Sequence, residues 1–343
     1  MKYRTLGRTG MKVSPLCLGA MMFGEWGNPD HDDSVKIIHA AIDAGINFID
    51  TADVYSHGES EEIVAKAIVG RRDDLVIATK VHSPMGEDPN RSGNSRRWII
   101  AECENSLRRL GTDHIDLYQM HRFDPAVDLD ETLGALTDLV HQGKVRYIGS
   151  STFPASAIVE GQWVAEKRNL QRFVCEQPPY SLLVRGIETD VLPTCEQYNM
   201  GVIPWSPLAG GWLSGKWRSD SEDLTSRRAR RIPDRYNLDL PENRAKLEAA
   251  EKLGDLADEA GISLIHMALA FVINHPAVTS AIIGPRTAEH FEGQIGAADV
   301  VLSEDVLDRI DEIVPPGQNF SWADSGWMPP SIGSAWKRRR VHR

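Results

Sequence analysis

The chain has 343 residues, 25% charged and 41% hydrophobic, and its 49 acidic against 38 basic side chains leave a formal net charge of −11. A chain of this size buries a core without disulfides or structural metal, and its acidic balance argues against a broad phosphate-binding face and so against nucleic acid as a partner. No run reaches the ~18 apolar residues that a membrane span needs.

Four scattered cysteines (Cys17, Cys103, Cys175 and Cys195) form no C-x-x-C pair, which points to a reducing, cytoplasmic setting and offers no metal site. The opening Met1-Lys2-Tyr3-Arg4-Thr5 lacks the apolar segment of a signal peptide.

In chain order, residues 1–16 read as a hairpin turning at Arg8-Thr9-Gly10, placed to plug the bottom of a barrel built from the later strands. Eight short apolar runs then recur: Cys17–Met21, Asn47–Ala52, Leu75–Lys80, His114–Met120, Val145–Ser151, Arg172–Gln177, Gly201–Trp205 and Ser280–Gly284. Between them lie stretches of helical period. Asp33–Ala44 sets Val35, Ile38, Ala41 and Ile42 on one face, and Arg97–Leu110 does the same with Ile100, Cys103, Leu107 and Leu110. Gly45, Gly70, Gly111, Gly143 and Gly201 stand where a left-handed helix end is wanted. Alternation of this kind predicts a parallel sheet covered on both faces, and eight units of about 30 residues predict a single (β/α)8 TIM barrel over residues 1–343. No G-x-G-x-x-G follows the first run, which disfavours an open dinucleotide fold. Residues 208–245 form a long loop leaving the C-terminal face, where barrel enzymes build their sites. Residues 315–343 form a C-terminal loop and a basic tail, Lys337-Arg338-Arg339-Arg340, read as a solvated terminus.

The strand ends carry the chemistry. Asp50 and Lys80 fall at inward parity, where charges are costly unless paired. Tyr55 lies at the rim, within reach of the Lys80 ammonium, and His121 is in phase with Leu117 and Gln119. An ammonium beside a phenol stabilises the phenolate and brings tyrosine into range as a general acid. A carboxylate behind the lysine keeps it charged, and a histidine can hydrogen-bond the oxygen of a reacting carbonyl.

The string NFIDTADVYSHGESEEIVAKAI, followed by VIATK and DLYQMHRFD, resembles the aldo-keto reductase signature. The likeness runs from about residue 3 to residue 315. It implies NADPH-dependent reduction of an aldehyde or ketone, with Asp50, Tyr55, Lys80 and His121 as the catalytic tetrad. It further implies that Ser151, Thr152 (where the family usually has Asn) and Gln177 hold the nicotinamide carboxamide, and that Trp205 stacks on the nicotinamide ring. Ser206, Leu208, Gly210 and Lys216 would lie over the pyrophosphate. Gly284, Arg286, His290 and Gln294 would meet the adenosine end, with Arg286 on the 2′-phosphate; that contact is the reason to expect NADP(H) rather than NAD(H). Gly210-x-x-x-x-Gly215-Lys216 imitates a P-loop, but Trp217 supplies no hydroxyl for Mg2+, so nucleotide hydrolysis is rejected.

Phe23, Trp26, Tyr55, Trp98 and Phe123 form a candidate aromatic substrate pocket. Arg122 or Arg91 would instead meet an acidic substrate. The alternative class is a cofactor-binding regulatory subunit like the potassium-channel β-subunits, which share the fold. The implied partner is a small-molecule carbonyl compound, with no nucleic acid and no membrane; no pattern marks an oligomer interface.

Overall fold

The computed structural model describes residues 1–217 and 232–339. Residues 218–231 of the long loop, and the end of the basic tail from Arg340 onward, lie outside the described residues. Each of the eight apolar runs overlaps a strand to within one residue at either end of it, or contains it whole. After a hairpin of β1 (Arg4–Thr5) and β2 (Lys12–Val13) come β3 (Leu16–Gly19), β4 (Phe48–Asp50), β5 (Val76–Val81), β6 (Ile115–Met120), β7 (Val145–Ser151), β8 (Cys175–Gln177), β9 (Gly201–Val202) and β10 (Ala281–Ile283). The last eight form one parallel sheet in the order β10-β3-β4-β5-β6-β7-β8-β9. Backbone hydrogen bonds from Thr279 to Val202 (2.8 Å) and from Ile282 to Pro204 (2.9 Å) join its two edges. The sheet is thus closed into the (β/α)8 barrel expected from the strand–helix alternation.

The helices lie where the period-3.6 stretches put them. Helix α1 (His31–Asp43) starts at Asp30, whose side chain accepts from the Asp33 N–H. α2 (Glu59–Ile68) follows β4, and α3 (Arg96–Leu110) follows β5. The Ser95 side chain caps the start of α3 and Gly111, at φ 61°, ends it. α4 (Leu129–His141), α5 (Ala155–Arg168) and α6 (Val191–Gln197) continue the alternation. Their apolar faces and the outward residues of the strands make the outer core layer. The barrel interior is a separate cluster that includes Phe48, Val76, Ala78, Leu117, Cys175, Ile203 and Ile282.

Leu6 and Val13 of the hairpin belong to that interior cluster and are fully buried, so the hairpin fills the base of the barrel. It turns over residues 7–10, which include the expected Arg8-Thr9-Gly10, with Gly7 at φ 52° and Thr9 bonded back to the Leu6 carbonyl. Gly201 needs correction. It is not a left-handed helix end but a strand residue, and a Cβ on it would lie 2.5 Å from Leu6 Cδ1. The hairpin's close approach explains this glycine; the left-handed residue after α6 is Asn199 (φ 49°). Among the described residues no single helix is long and apolar enough to cross a membrane.

Candidate active site

Side chains two apart on a strand share a face. Phe48, Ala78, Leu117 and Cys175 point into the barrel, so Asp50, Lys80, Gln119 and Gln177 point inward one layer nearer its C-terminal mouth. Lys80 is fully buried and Asp50 is 2% exposed. The Lys80 ammonium donates to Asp50 Oδ2 at 2.5 Å, to the Thr51 carbonyl at 2.8 Å and to the Tyr55 hydroxyl at 3.2 Å. The other Asp50 oxygen accepts from Gln119 (3.1 Å) and Gln177 (2.8 Å). Burial pulls the Lys80 pKa down, but Asp50 and Tyr55 outweigh it and leave the ammonium above its ordinary range.

Tyr55 is held by an unusual turn. Ser56 (φ 46°), His57 (φ 57°) and Gly58 (φ 98°) are all left-handed, a conformation strained for the two that carry a Cβ. At Gly58 the chain passes so near α3 that a Cβ would lie 2.7 Å from Arg109 Cδ. Beneath the turn Arg109 pairs with the buried Glu61 and Glu102 at 2.6 Å each, and Thr79 donates to Glu61 at 2.5 Å. Ser56 Oγ and the Glu59 carboxylate accept the Trp26 and Glu25 N–H groups. The loop after β3 is thereby tied to the same turn, and Trp26 stands 6.1 Å from the Tyr55 ring.

His121 packs edge-on against Tyr55, with ring centroids 5.7 Å apart. Burial, reinforced by Lys80, Arg122 and His82, holds its pKa well below the ordinary histidine value. At neutral pH it is therefore an uncharged imidazole, and its buried Nδ1 has no partner among the described residues. All four tetrad residues thus meet at one end of the barrel.

On the far wall, Ser151 donates to the Gln177 carbonyl (2.9 Å). The Gln177 amide N–H groups are directed to Asp50 and Gln119, so its side-chain oxygen is the atom that remains for a ligand. Thr152 sits at φ 58°, a costly conformation for a β-branched residue. Its hydroxyl accepts from the Trp205 indole and from Arg122, each at 3.3 Å. A pocket beside Trp205 is lined by Pro179, Ser206, Gly210, Arg235 and Asp324, among others. Ser206 (φ 60°), Ala209 (φ 50°) and Gly210 (φ 72°) form a run of left-handed turns there, with Leu208 packed against the outer core.

At the remaining corner, the helix Ala288–Ile295 starts from the Thr287 cap just after Gly284 and Arg286. Burial, then Arg286 and Lys216, lower the His290 pKa, so both cations face one histidine. Neither has an ion-pair partner among the described residues. Gln294 is 6% exposed and its Oε1 is buried without a partner among the described residues.

The expected substrate residues separate. Phe123 contacts Phe153 and Trp327 edge-on, at 5.4 and 5.5 Å, and Trp26 faces Tyr55. Phe23 and Trp98 instead pack into the outer core layer, and Arg91 is exposed in its loop. Sequence reasoning missed Gln119, whose inward parity was legible, and Glu176, which accepts backbone N–H groups of Thr152 and Phe153 from behind the strand. It also passed over the clasp by which Arg235 and Lys246 both pair with Asp324; no local pattern announces that contact.

The model of the aldo/keto reductase family matches residues 15–315. The chain belongs to that family. This aldo-keto reductase is 41% identical to the uncharacterized oxidoreductase YrpG of Bacillus subtilis, over 94% of this chain and 100% of that one. It is 34% identical to a probable voltage-gated potassium channel subunit beta of Arabidopsis thaliana, over 92% and 97% of the two chains. It is also 34% identical to a putative aryl-alcohol dehydrogenase of Schizosaccharomyces pombe, over 90% and 95%. The aldo-keto reductase is thus an oxidoreductase, and the family generally works with nicotinamide cofactors.

Proposed function

We propose that the protein reduces an aldehyde or ketone to an alcohol with NADPH, reversibly, and that Tyr55 is the proton donor. The observation that carries this reading is the Lys80 ammonium, which donates at once to Asp50 and to Tyr55. Tyr55 gives its proton to the carbonyl oxygen as negative charge gathers there, and Lys80 stabilises the phenolate left behind. Asp50, fixed by two glutamine amides, keeps Lys80 charged; a protonated Lys80 is a poor nucleophile, which disfavours Schiff-base chemistry. His121, uncharged, serves as a hydrogen-bonding partner for the carbonyl oxygen and not as its acid. A reduced nicotinamide cofactor, if held by the residues around Gln177 and Trp205, would supply the hydride.

The residues present fit that cofactor. Two cations without an ion-pair partner among the described residues, beside a helix N-terminus, suit a phosphate, and the Gln294 oxygen, without a partner among those same residues, suits an amino group of an adenine. We assign Ser151, Thr152, Gln177, Trp205, Ser206, Leu208, Gly210, Lys216, Gly284, Arg286, His290 and Gln294 to cofactor binding. The four cysteines, all free and buried, accord with a cytoplasmic setting.

Replacing Tyr55 with Phe tests the reading. Carbonyl-dependent NADPH oxidation should fall at least about 100-fold, the scale of general-acid catalysis, with NADPH affinity within a few-fold of the parent. Parent-rate reduction by Tyr55→Phe would remove the assigned donor. The name of the Arabidopsis relative favours a second reading, a cofactor-binding regulatory subunit. NADPH binding with no turnover across a broad carbonyl panel would select it.

A further inference from the structure

Arg122 follows His121 directly and lies among the site residues. Its Nη1 donates to the His121 carbonyl at 2.6 Å and to the Thr152 hydroxyl at 3.3 Å, and Thr152 in turn receives the Trp205 indole. The guanidinium has five N–H donors, and both of these bonds come from the same nitrogen. Nε and Nη2 have no acceptor, and no carboxylate pairs with the side chain, among the described residues. Three other arginines that the fold draws inward are neutralised at contact distance: Arg109 by Glu61 and Glu102, Arg185 by Glu188 and Asp311, and Arg235 by Asp324; half-buried Arg4 is spent instead on the Ile273 and Val278 carbonyls.

The surroundings of Arg122 sharpen the contrast. Burial holds its guanidinium below the ordinary arginine range; Tyr55 and Glu176 act against that, and Arg235 adds to it. Glu176 does not supply a contact. It is fully buried behind the strand and is engaged by the Ser150 hydroxyl and by the Phe153 N–H at 3.2 Å. A half-buried, uncompensated cation beside a proton donor is costly to maintain and marks a place where an anion binds.

We propose that the physiological substrate is a carbonyl compound bearing a carboxylate, and that Arg122 grips this carboxylate while the carbonyl oxygen meets Tyr55. The inference rests on the reductase reading above and narrows its substrate. One planar guanidinium with a free Nε and Nη2 edge matches one carboxylate in a two-point grip. The single charge suits a carboxylate better than a phosphate ester.

The test compares 4-carboxybenzaldehyde, its methyl ester and 4-formylphenyl phosphate as substrates of the full chain with NADPH. Charged hydrogen bonds of this kind predict a kcat/KM roughly 10- to 100-fold higher for the carboxylate than for the ester. Arg122→Gln should bring that ratio near one, and Arg122→Glu should invert it. A purely structural role for Arg122 would lower both substrates alike and leave the ratio standing, which overturns the proposal. So does a wild-type ratio near one, or a preference for the phosphate ester over the carboxylate. Calorimetric binding of benzoate against benzamide to the NADP+-loaded protein gives a readout that needs no turnover and, in the wild type, no variant that must fold. Benzoate should bind at least about tenfold tighter; equal binding refutes the anion site. Tight, Arg122-dependent benzoate binding without turnover of any aldehyde would keep the anion site and discard the reductase reading.

Discussion

Removing the Lys80 ammonium alone and removing it together with its carboxylate partner should give very different proteins. Lys80 is fully buried, its three bonds all go to internal acceptors, and Asp50 is held only 2.5 Å away. At an effective dielectric near 20, two charges at that distance attract by on the order of 7 kcal/mol, most of which offsets their desolvation. Lys80→Met leaves Asp50 buried with only the two glutamine amides, and an uncompensated buried charge costs about 3–5 kcal/mol. In Lys80→Met/Asp50→Asn no charge is stranded, and an Asn oxygen still accepts from Gln119 and Gln177. The double variant should therefore lose less stability than the two single variants summed, by about 2–3 kcal/mol. Urea unfolding at neutral pH, read from midpoints with unchanged slopes, measures each corner of the cycle. All three variants should lack reductase turnover, because each removes the cation beside Tyr55 or its support. Losses that add within about 0.5 kcal/mol would show that the pair is not energetically coupled and would refute this account of how Lys80 stays charged.

Arg286→Ala should raise KM for NADPH at least about tenfold, the loss of a charged hydrogen bond, while leaving KM for NADH nearly unchanged; steady-state kinetics with both cofactors decide it, and equal effects would withdraw the phosphate contact. Burial pushes the Glu176 carboxyl up to about 7, against Ser150, the Thr152 and Phe153 backbone N–H groups and Arg122. Its folded value lies above the unfolded value of about 4.3, so the folded state keeps a proton that the unfolded chain releases, and stability falls as pH rises between the two. Glu176→Gln removes that slope: relative to the parent it should gain roughly 2–3 kcal/mol between pH ~5 and pH ~8 in urea unfolding, and parallel curves would contradict the assignment. Thr152→Asn should stabilise the protein by about 1 kcal/mol, because asparagine tolerates the left-handed backbone that threonine resists; a lower unfolding midpoint would mean that the hydroxyl's contacts outweigh the strain.

The barrel was legible because its signals are local. Each apolar run reports its own strand, and parity within β4 and β5 is enough to send Asp50 and Lys80 inward. Gln177 shows where such reasoning stops. Its place at the end of β8 was readable, but the turning of its amide towards Asp50, 127 residues away, depends on how the closed barrel brings strands together. Gly201 misled for a related reason: its missing side chain answers to Leu6 at the other end of the chain, not to the helix before it. Phe23, in the loop after β3, and Trp98, in the first turn of α3, misled because aromatic residues following a strand look alike in sequence whether they face the mouth or the helical layer. Arg122 was visible as a cation, while its lack of a counter-charge is a property of the assembled mouth.

The first thirteen residues do structural work that the matched family region, which begins at residue 15, does not include. Asn47 clasps the hairpin by accepting from the Ser14 N–H and donating to the Lys12 carbonyl, and Leu6 and Val13 complete the floor beneath Phe48, Val76 and Leu117. A chain begun at Pro15 would retain every strand of the cylinder and all four tetrad residues, yet water would wet its lowest tier from below. The amino-terminal segment is thus the stopper of the vessel, and trimming it to the recognisable family core would open the end opposite the chemistry.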